Sequence, residues 1–198
     1  MTILVVGASG ATGRLLVEQL LNRGEKVKAI VRSPETLSEF LNHEHLTVIR
    51  ASVLELSDAE MASHVRGCHA VASCLGHNLT WKGMFGHPRR LVTDTAHRLC
   101  TAIAVNKPEK PVRYVLMNTA GNRNRDLHEP ISFVQKCVIA LIRLLLPPHV
   151  DNEKAADYLR TQIGKNNKAN FMADLITDNN IWDKWKGKMP VIYNSEAK

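Results

Sequence analysis

Apolar and polar positions along this chain follow two alternating periods. Residues 2–6 (TILVV) are a short β-branched run, the pattern of a buried strand. From Arg14 to Asn22 the apolar residues fall at 15, 16, 17, 20 and 21, which is one face of a helix closed by Gly24. Lys26–Val31 reads as a second strand, and Ser33-Pro34-Glu35 as N-cap, first-turn proline and first-turn acid of a helix. Leu46–Arg50 is a third strand, and Ser57-Asp58-Ala59-Glu60 starts another helix. A fourth strand is predicted over His69–Leu75, a loop over Gly76–Pro88 and a helix from about Arg89 to Val105. Val112–Met117 is the fifth strand, and Asn118–Pro130 a polar loop. Ile131–Leu146 is a strongly apolar helix closed by Pro147-Pro148, and Asp151 is expected to cap the next helix, which runs to about Gly164.

Strands alternating with helices imply an α/β domain: a Rossmann-like, doubly wound parallel sheet with helices on both faces. A sixth strand is expected after Gly164-Lys165-Asn166-Asn167, but Ala169-Asn170-Phe171-Met172 enters a helix-like stretch instead. The sixth strand is therefore missing from the pattern, through either a deletion or an omitted loop at the 168–170 junction. The expected organisation is one domain over 1–198, with a core over 1–165 and a C-terminal helical segment over 170–198.

With 198 residues, one domain can bury a full core. Hydrophobic residues at 44% and charged residues at 23% are ordinary for a globular chain, which argues against disorder and coiled coil. The net charge of +7 suits an anionic partner without choosing among nucleotide, nucleic acid and membrane surface. Aromatics at 5% weaken any reading based on base stacking. Cys68, Cys74, Cys100 and Cys137 show neither CxxC spacing nor a paired histidine cluster, so no metal site is expected and a reducing cytoplasm is the expected location. Ile3–Val6 is too short for a signal-peptide core, and Ile131–Leu146, broken by Lys136 and Arg143, is too short to span a bilayer.

The candidate chemistry lies at the first crossover. Gly7-Ala8-Ser9-Gly10-Ala11-Thr12-Gly13 has GxxGxxG spacing between a strand and a helix. The first glycine permits the tight turn, the second a close approach to a diphosphate, and the third the packing of helix on strand. The helix N-terminus adds free N–H groups and the positive end of a dipole. Ser9 and Thr12 offer hydroxyls, and Arg14 a charge. After the second strand, where an NAD site usually holds an acid for the ribose 2′-OH, stands Arg32-Ser33. Arginine cannot accept that bond but can pair with a 2′-phosphate, so NADP(H) is favoured and NAD(H) stays open as a second cofactor. Ser52 and Val53 follow the third strand, where adenine would lie; Leu75 and Gly76 follow the fourth, where the cofactor would cross the sheet. For these four residues, an ordinary sheet-end turn is an equal reading.

The glycine run, Val31-Arg32-Ser33-Pro34 and Asn152-Glu153-Lys154-Ala155-Ala156-Asp157-Tyr158-Leu159 together resemble the atypical short-chain dehydrogenase/reductases. More narrowly, the chain resembles the NAD(P)H-binding group that includes NmrA-like proteins, biliverdin IXβ/flavin reductases and NADH-flavin reductases. The resemblance covers about residues 1–165 and implies a Tyr-x-x-x-Lys pair with a hydroxyl residue after the fifth strand. Lys154 falls at the lysine position, to hold the nicotinamide ribose, and Thr119 at the hydroxyl position. The tyrosine position is Val150, and Tyr158 lies on the wrong side of Lys154. Valine cannot transfer a proton. Two functions follow: a reductase passing hydride to a flat conjugated acceptor such as a flavin, quinone or tetrapyrrole, or a non-catalytic NAD(P)H sensor acting through a protein partner.

Other features carry bland readings beside sharper ones. His77, Trp81, Met84, Phe85 and His87, with Gly83 and Gly86, form either a lid over the nicotinamide or a surface loop; zinc would need a further close ligand. The helix over 131–146 is either a homodimer face, a wall of the substrate pocket or, most commonly for such a pattern, a helix buried in its own fold. Trp182, Trp185 and neighbouring lysines resemble a nucleic-acid strip, but two rings tucked onto a core is the stronger reading, which argues against a nucleic-acid partner. The expected partner is a small molecule.

Overall fold

The computed structural model describes residues 1–77, 86–118, 133–162 and 179–180. Its elements run β1 (Thr2–Val6), α1 (Ala11–Asn22), β2 (Lys26–Val31), a 3₁₀ helix (Pro34–Phe40), β3 (Leu46–Arg50), α2 (Asp58–Val65) and β4 (Ala70–Ser73). They continue with α3 (Leu91–Asn106), β5 (Arg113–Leu116), α4 (Phe133–Leu145) and α5 (Pro147–Gln162). The five strands form one parallel sheet in the order β3-β2-β1-β4-β5. The chain winds outward from β1 in one direction to β3, then returns to β4 and β5 on the other side. The crevice between the carboxyl ends of β1 and β4 is therefore the switch point at which open α/β sheets hold ligands.

Alternation along β1 divides the core. Ile3 and Val5 pack with Leu16, Val17 and Leu20 of α1 and Leu37 of the 3₁₀ helix. Leu4 and Val6 pack on the opposite face with Met61 of α2, Val92, Ala96 and Leu99 of α3, and Ala155 and Leu159 of α5. Both faces are thus covered, as an all-parallel sheet requires.

Three local expectations change. The segment after Ser33 is a 3₁₀ helix with non-helical backbone at Leu37, and the Ser33 side chain makes no cap; the Thr36 hydroxyl donates to the Ser33 carbonyl at 2.7 Å instead. α1 begins at Ala11 because Gly10 itself is the N-cap, three residues before the first amphipathic position. Asp151 lies inside α5, which starts at Pro147, and its carboxylate serves a different helix. The Ser57–Glu60 start of α2 is a full capping box: Glu60 N–H donates to Ser57 Oγ at 3.2 Å, and Ser57 N–H to Glu60 Oε2 at 2.7 Å. The Ser57 side-chain and then its backbone hydrogen bond hold the Glu60 carboxyl below its ordinary pKa.

The apolar helix α4 is less buried than expected: Val134, Val138, Leu141 and Leu145 are exposed along it. Its bidentate Arg143–Glu153 pair (2.9 and 3.0 Å) ties it to α5. The segment where a sixth strand was expected lies outside the described residues, as do Trp182 and Trp185. No helix among the described residues is long and apolar enough to cross a membrane.

Candidate functional site

The three glycines of the first turn have three different surroundings. Gly7 takes φ +74°, and a Cβ there would lie 2.6–2.7 Å from the backbone of Cys74 and Leu75. The turn is therefore pressed against the segment leaving β4, and only glycine fits. At Gly13 a Cβ would meet the Gly7 carbonyl oxygen at 2.2 Å and the Ala8 Cα at 2.9 Å, which fixes how closely α1 sits on the turn. At Gly10 the same test finds only the Gly7 oxygen, at 3.4 Å, so the exposed Gly10 has room before it. The turn is closed by Gly10 N–H on the Gly7 carbonyl (3.1 Å) and Arg14 N–H on the Gly10 carbonyl (2.9 Å).

Nothing caps α1 from within. Gly10 offers no side chain, and the first turn holds no acid. Among the described residues the N–H groups of Ala11, Thr12 and Gly13 have no acceptor. Three N–H groups and the positive end of a helix dipole thus converge on open space, with Ser9 exposed and Thr12 half-buried beside them. Arg14 points its charge elsewhere, pairing with Glu39 at 3.1 Å. Behind the turn, burial pushes the Cys74 thiol up to about 11, which makes it a packing group rather than a nucleophile.

Arg32 and Ser33 leave the end of β2 exposed, and Arg32 makes no ion pair or hydrogen bond among the described residues. Beyond β3, Ser52 is half-buried and Val53 buried. The Val53 carbonyl accepts from Arg98 Nη1 at 2.7 Å. Arg98 Nη2 donates to the Leu56 carbonyl and reaches Asp58 Oδ1 at 3.2 Å, so one α3 guanidinium holds the whole 53–58 turn. That clamp was not legible in the sequence. Leu75 is half-buried and Gly76 exposed, with nothing within 4 Å of a Cβ built there.

Thr119 lies outside the described residues, as does the loop over 78–85. Lys154 is exposed on α5, and no hydrogen bond or ion pair joins it to the glycine turn. Val150 is half-buried in the preceding turn of α5. Tyr158 stacks on His97 of α3, with centroids 3.4 Å apart and planes 16° from parallel, so it braces α3 against α5.

One constellation joins residues that the sequence keeps far apart. The Asp151 carboxylate accepts from Val92 N–H at 2.8 Å and Thr93 N–H at 3.1 Å, and so caps α3. The Thr93 hydroxyl donates back to the Asp151 carbonyl at 2.9 Å. Asp151 Oδ2 also lies 2.8 Å from His77 Nε2, the two side chains being 1% and 6% exposed. His77 lies four residues beyond the end of β4 and two beyond Leu75, whose backbone packs on Gly7.

The family model for NAD(P)H-binding proteins matches residues 7–168, from the first glycine of the turn to beyond α5. The chain belongs to the NAD(P)H-binding family. Its sequence is similar, at 36% identity over 87 residues, to dTDP-6-deoxy-L-talose 4-dehydrogenase (NAD(+)) of Aggregatibacter actinomycetemcomitans. It is 46% identical over 57 residues to an uncharacterised chloroplast protein of Arabidopsis thaliana. These alignments cover 44% and 28% of this chain, and only 30% and 20% of those relatives. Among solved structures, UDP-glucuronic acid 4-epimerase from Bacillus cereus, in complex with UDP-glucuronic acid and NAD, superposes with a TM-score of 0.61 at 18% identity, covering 82% of this chain and 52% of that one. A Lactobacillus casei protein superposes at 0.60 with 18% identity over 81% of this chain and 68% of that one. A candidate NADH-flavin reductase from Streptococcus pneumoniae superposes at 0.53 with 21% identity over 82% and 67%. At these identities the superpositions establish the Rossmann-like fold.

The residues present fit the cofactor class of this NAD(P)H-binding family. A diphosphate needs donors without competing acceptors and an approach free of Cβ atoms. The uncapped α1 and the open side of Gly10 supply both. Among the described residues no group of histidine, cysteine and acid could hold a metal.

Proposed function

We propose that the protein is an NADP(H)-dependent reductase that passes hydride to a flat conjugated acceptor such as a flavin, quinone or tetrapyrrole. The observation that carries this reading is the uncapped N-terminus of α1 facing the open side of Gly10, with the exposed Arg32, which has no partner among the described residues, at the end of the neighbouring strand. In this reading the backbone N–H groups of Ala11, Thr12 and Gly13 and the hydroxyls of Ser9 and Thr12 hold the diphosphate, and the Gly7 turn sets their position. Arg32 pairs the 2′-phosphate with Ser33 beside it, Ser52 and Val53 border the adenine, and Leu75 and Gly76 border the nicotinamide side. Lys154 and Thr119 complete the ribose and amide contacts. The bound cofactor supplies the hydride. The free thiols Cys68, Cys74 and Cys100 among the described residues accord with the reducing cytoplasm in which we place the protein.

Calorimetric titration with NADPH and NADH tests the reading. The expected result is binding of both, with NADPH tighter. Arg32→Asp should weaken NADPH by about 10- to 100-fold, the worth of a charge-assisted pair, and leave NADH nearly unchanged. Equal loss for both cofactors would remove Arg32 from the 2′-phosphate. A second reading, a dinucleotide sensor, is favoured by Val150 at the tyrosine position. Tight NADPH binding without oxidation by any flavin, quinone or biliverdin would select it.

A further inference from the structure

A reductase whose acceptor gains a proton on oxygen needs a donor, and valine at 150 cannot be one. We infer that His77, held by Asp151, is the proton donor to a quinone-type acceptor, with Asp151 as its positioning residue. The inference rests on the reductase reading above.

Geometry fixes the roles of the two ring nitrogens. Backbone N–H groups only donate, so the Asp151 oxygens are acceptors towards Val92 and Thr93. An ionised carboxylate that accepts from both leaves Oδ2 to accept from His77 Nε2–H as well, at 2.8 Å. The imidazole then presents Nδ1 away from Asp151, as the nitrogen that gains and loses the proton. Nδ1 is not among the buried unpartnered atoms of the described residues. Other charged groups on these elements pair with one another: Arg90 with Asp94 at 3.5 Å at the start of α3, and Glu153 of α5 with Arg143 of α4. Asp151 is thus the acid that faces the ring.

Position supports the assignment. His77 lies in the segment that leaves the carboxyl end of β4, one of the two strands that border the switch point. The residue before it, Gly76, is exposed and faces open space among the described residues. A capping acid alone has no need of a histidine, because Asp151 already satisfies Val92 and Thr93; the buried imidazole is an addition to the cap.

The step balances. The quinone takes a hydride from the reduced nicotinamide and one proton from Nδ1 of the His77 imidazolium. The ring returns to the neutral Nε2–H form, still bonded to Asp151, and is reprotonated from solvent. One hydride and one proton convert the quinone to the hydroquinone.

The test has three readouts on wild type, His77→Gln and Asp151→Asn. Calorimetry with NADPH should give similar affinities for wild type and His77→Gln. Nitrogen-15 imidazole spectra of the wild-type protein should show neutral His77 as the Nε2–H form; the Nδ1–H form would overturn the assignment without any assay of turnover. Oxidation of NADPH by menadione in wild type should slow as pH rises, because the donor must carry the proton it gives. His77→Gln should lose roughly 100-fold in kcat, together with that pH dependence. Asp151→Asn should keep the pH dependence but shift its midpoint. An unchanged kcat and pH profile in a folded His77→Gln protein would overturn the role of His77 and leave the reductase reading intact. NADPH binding without menadione reduction by wild type would overturn the role of His77, and the same failure with flavin and biliverdin would overturn the reductase reading as well.

Discussion

The N-termini of α1 and α3 flank the same end of the sheet, and they are finished in opposite ways. At α1 the cap residue is Gly10, the first turn has no acid, and three N–H groups have no acceptor among the described residues. At α3 the corresponding groups are taken by a carboxylate from another helix, Asp151, which is itself 3% exposed. Both ends carry the same partial positive charge. One is left open for an anion that arrives, the other is filled by an anion that belongs to the chain. A helix N-terminus becomes a phosphate site only when the protein withholds its own acceptors. The contrast explains why α1, rather than α3, is the place for a diphosphate.

Several substitutions would break or sharpen this contrast. The largest effect is expected from Gly13→Ala. Its new Cβ has backbone atoms at 2.2 and 2.9 Å, so α1 must move off the turn, with a loss of about 3 kcal/mol in urea unfolding and of NADPH binding. Gly10→Ala should separate the two functions of that turn: its Cβ finds only one atom, at 3.4 Å, so stability should fall by no more than about 1 kcal/mol while NADPH affinity drops at least tenfold. Stability surviving Gly13→Ala, or affinity surviving Gly10→Ala, would show that the open end is not held as described.

Next is Asp151→Ala, which leaves the buried Val92 and Thr93 N–H groups without an acceptor and His77 without a partner. It should cost about 2–3 kcal/mol in urea unfolding. A loss below that of an ordinary cap would mean that water replaces the carboxylate at α3. A smaller loss of stability than at Asp151 is expected at α2, where Ser57→Ala removes an exposed capping box and should cost about 1 kcal/mol. Falling pH should weaken the same box. Since the Glu60 carboxyl is held below its ordinary pKa, its contribution is present above the unfolded value and is lost as pH falls through the folded one. Comparing wild type with Ser57→Ala in acid unfolding would show this, as the difference between the two narrows.

What could be read in advance follows the range of each interaction. The Ser57–Glu60 box spans three residues, and its sequence signature specifies its geometry. The glycine turn is equally local, and its three glycines map onto three distinct steric constraints. Ser33 illustrates the limit of local reading: serine, proline and glutamate have the order of a helix start, yet the chain forms a 3₁₀ segment that buries Leu37 under α1, and packing overrides the cap. At Asp151 the cap chemistry was anticipated but not the helix it serves, because Val92 and Thr93 are 59 and 58 residues away. His77 stood out only as a loop histidine; its partner lies 74 residues on, and no local pattern links them. The Arg98 clamp on the 53–58 turn escaped for the same reason, since any carbonyl can accept and carbonyls carry no sequence mark.

The sequence by itself determined the alternation of strands and helices, the glycine turn at the first crossover and the basic residue at the end of β2. These depend on periodicity, steric permission and charge, which act within a few residues of one another. Only the tertiary structure decided which helix end stays empty and which is filled, and it alone brought an imidazole, a carboxylate and two backbone amides together. That choice depends on the distance between groups on separate elements, and such distances exist only once the sheet has set α3 and α5 side by side.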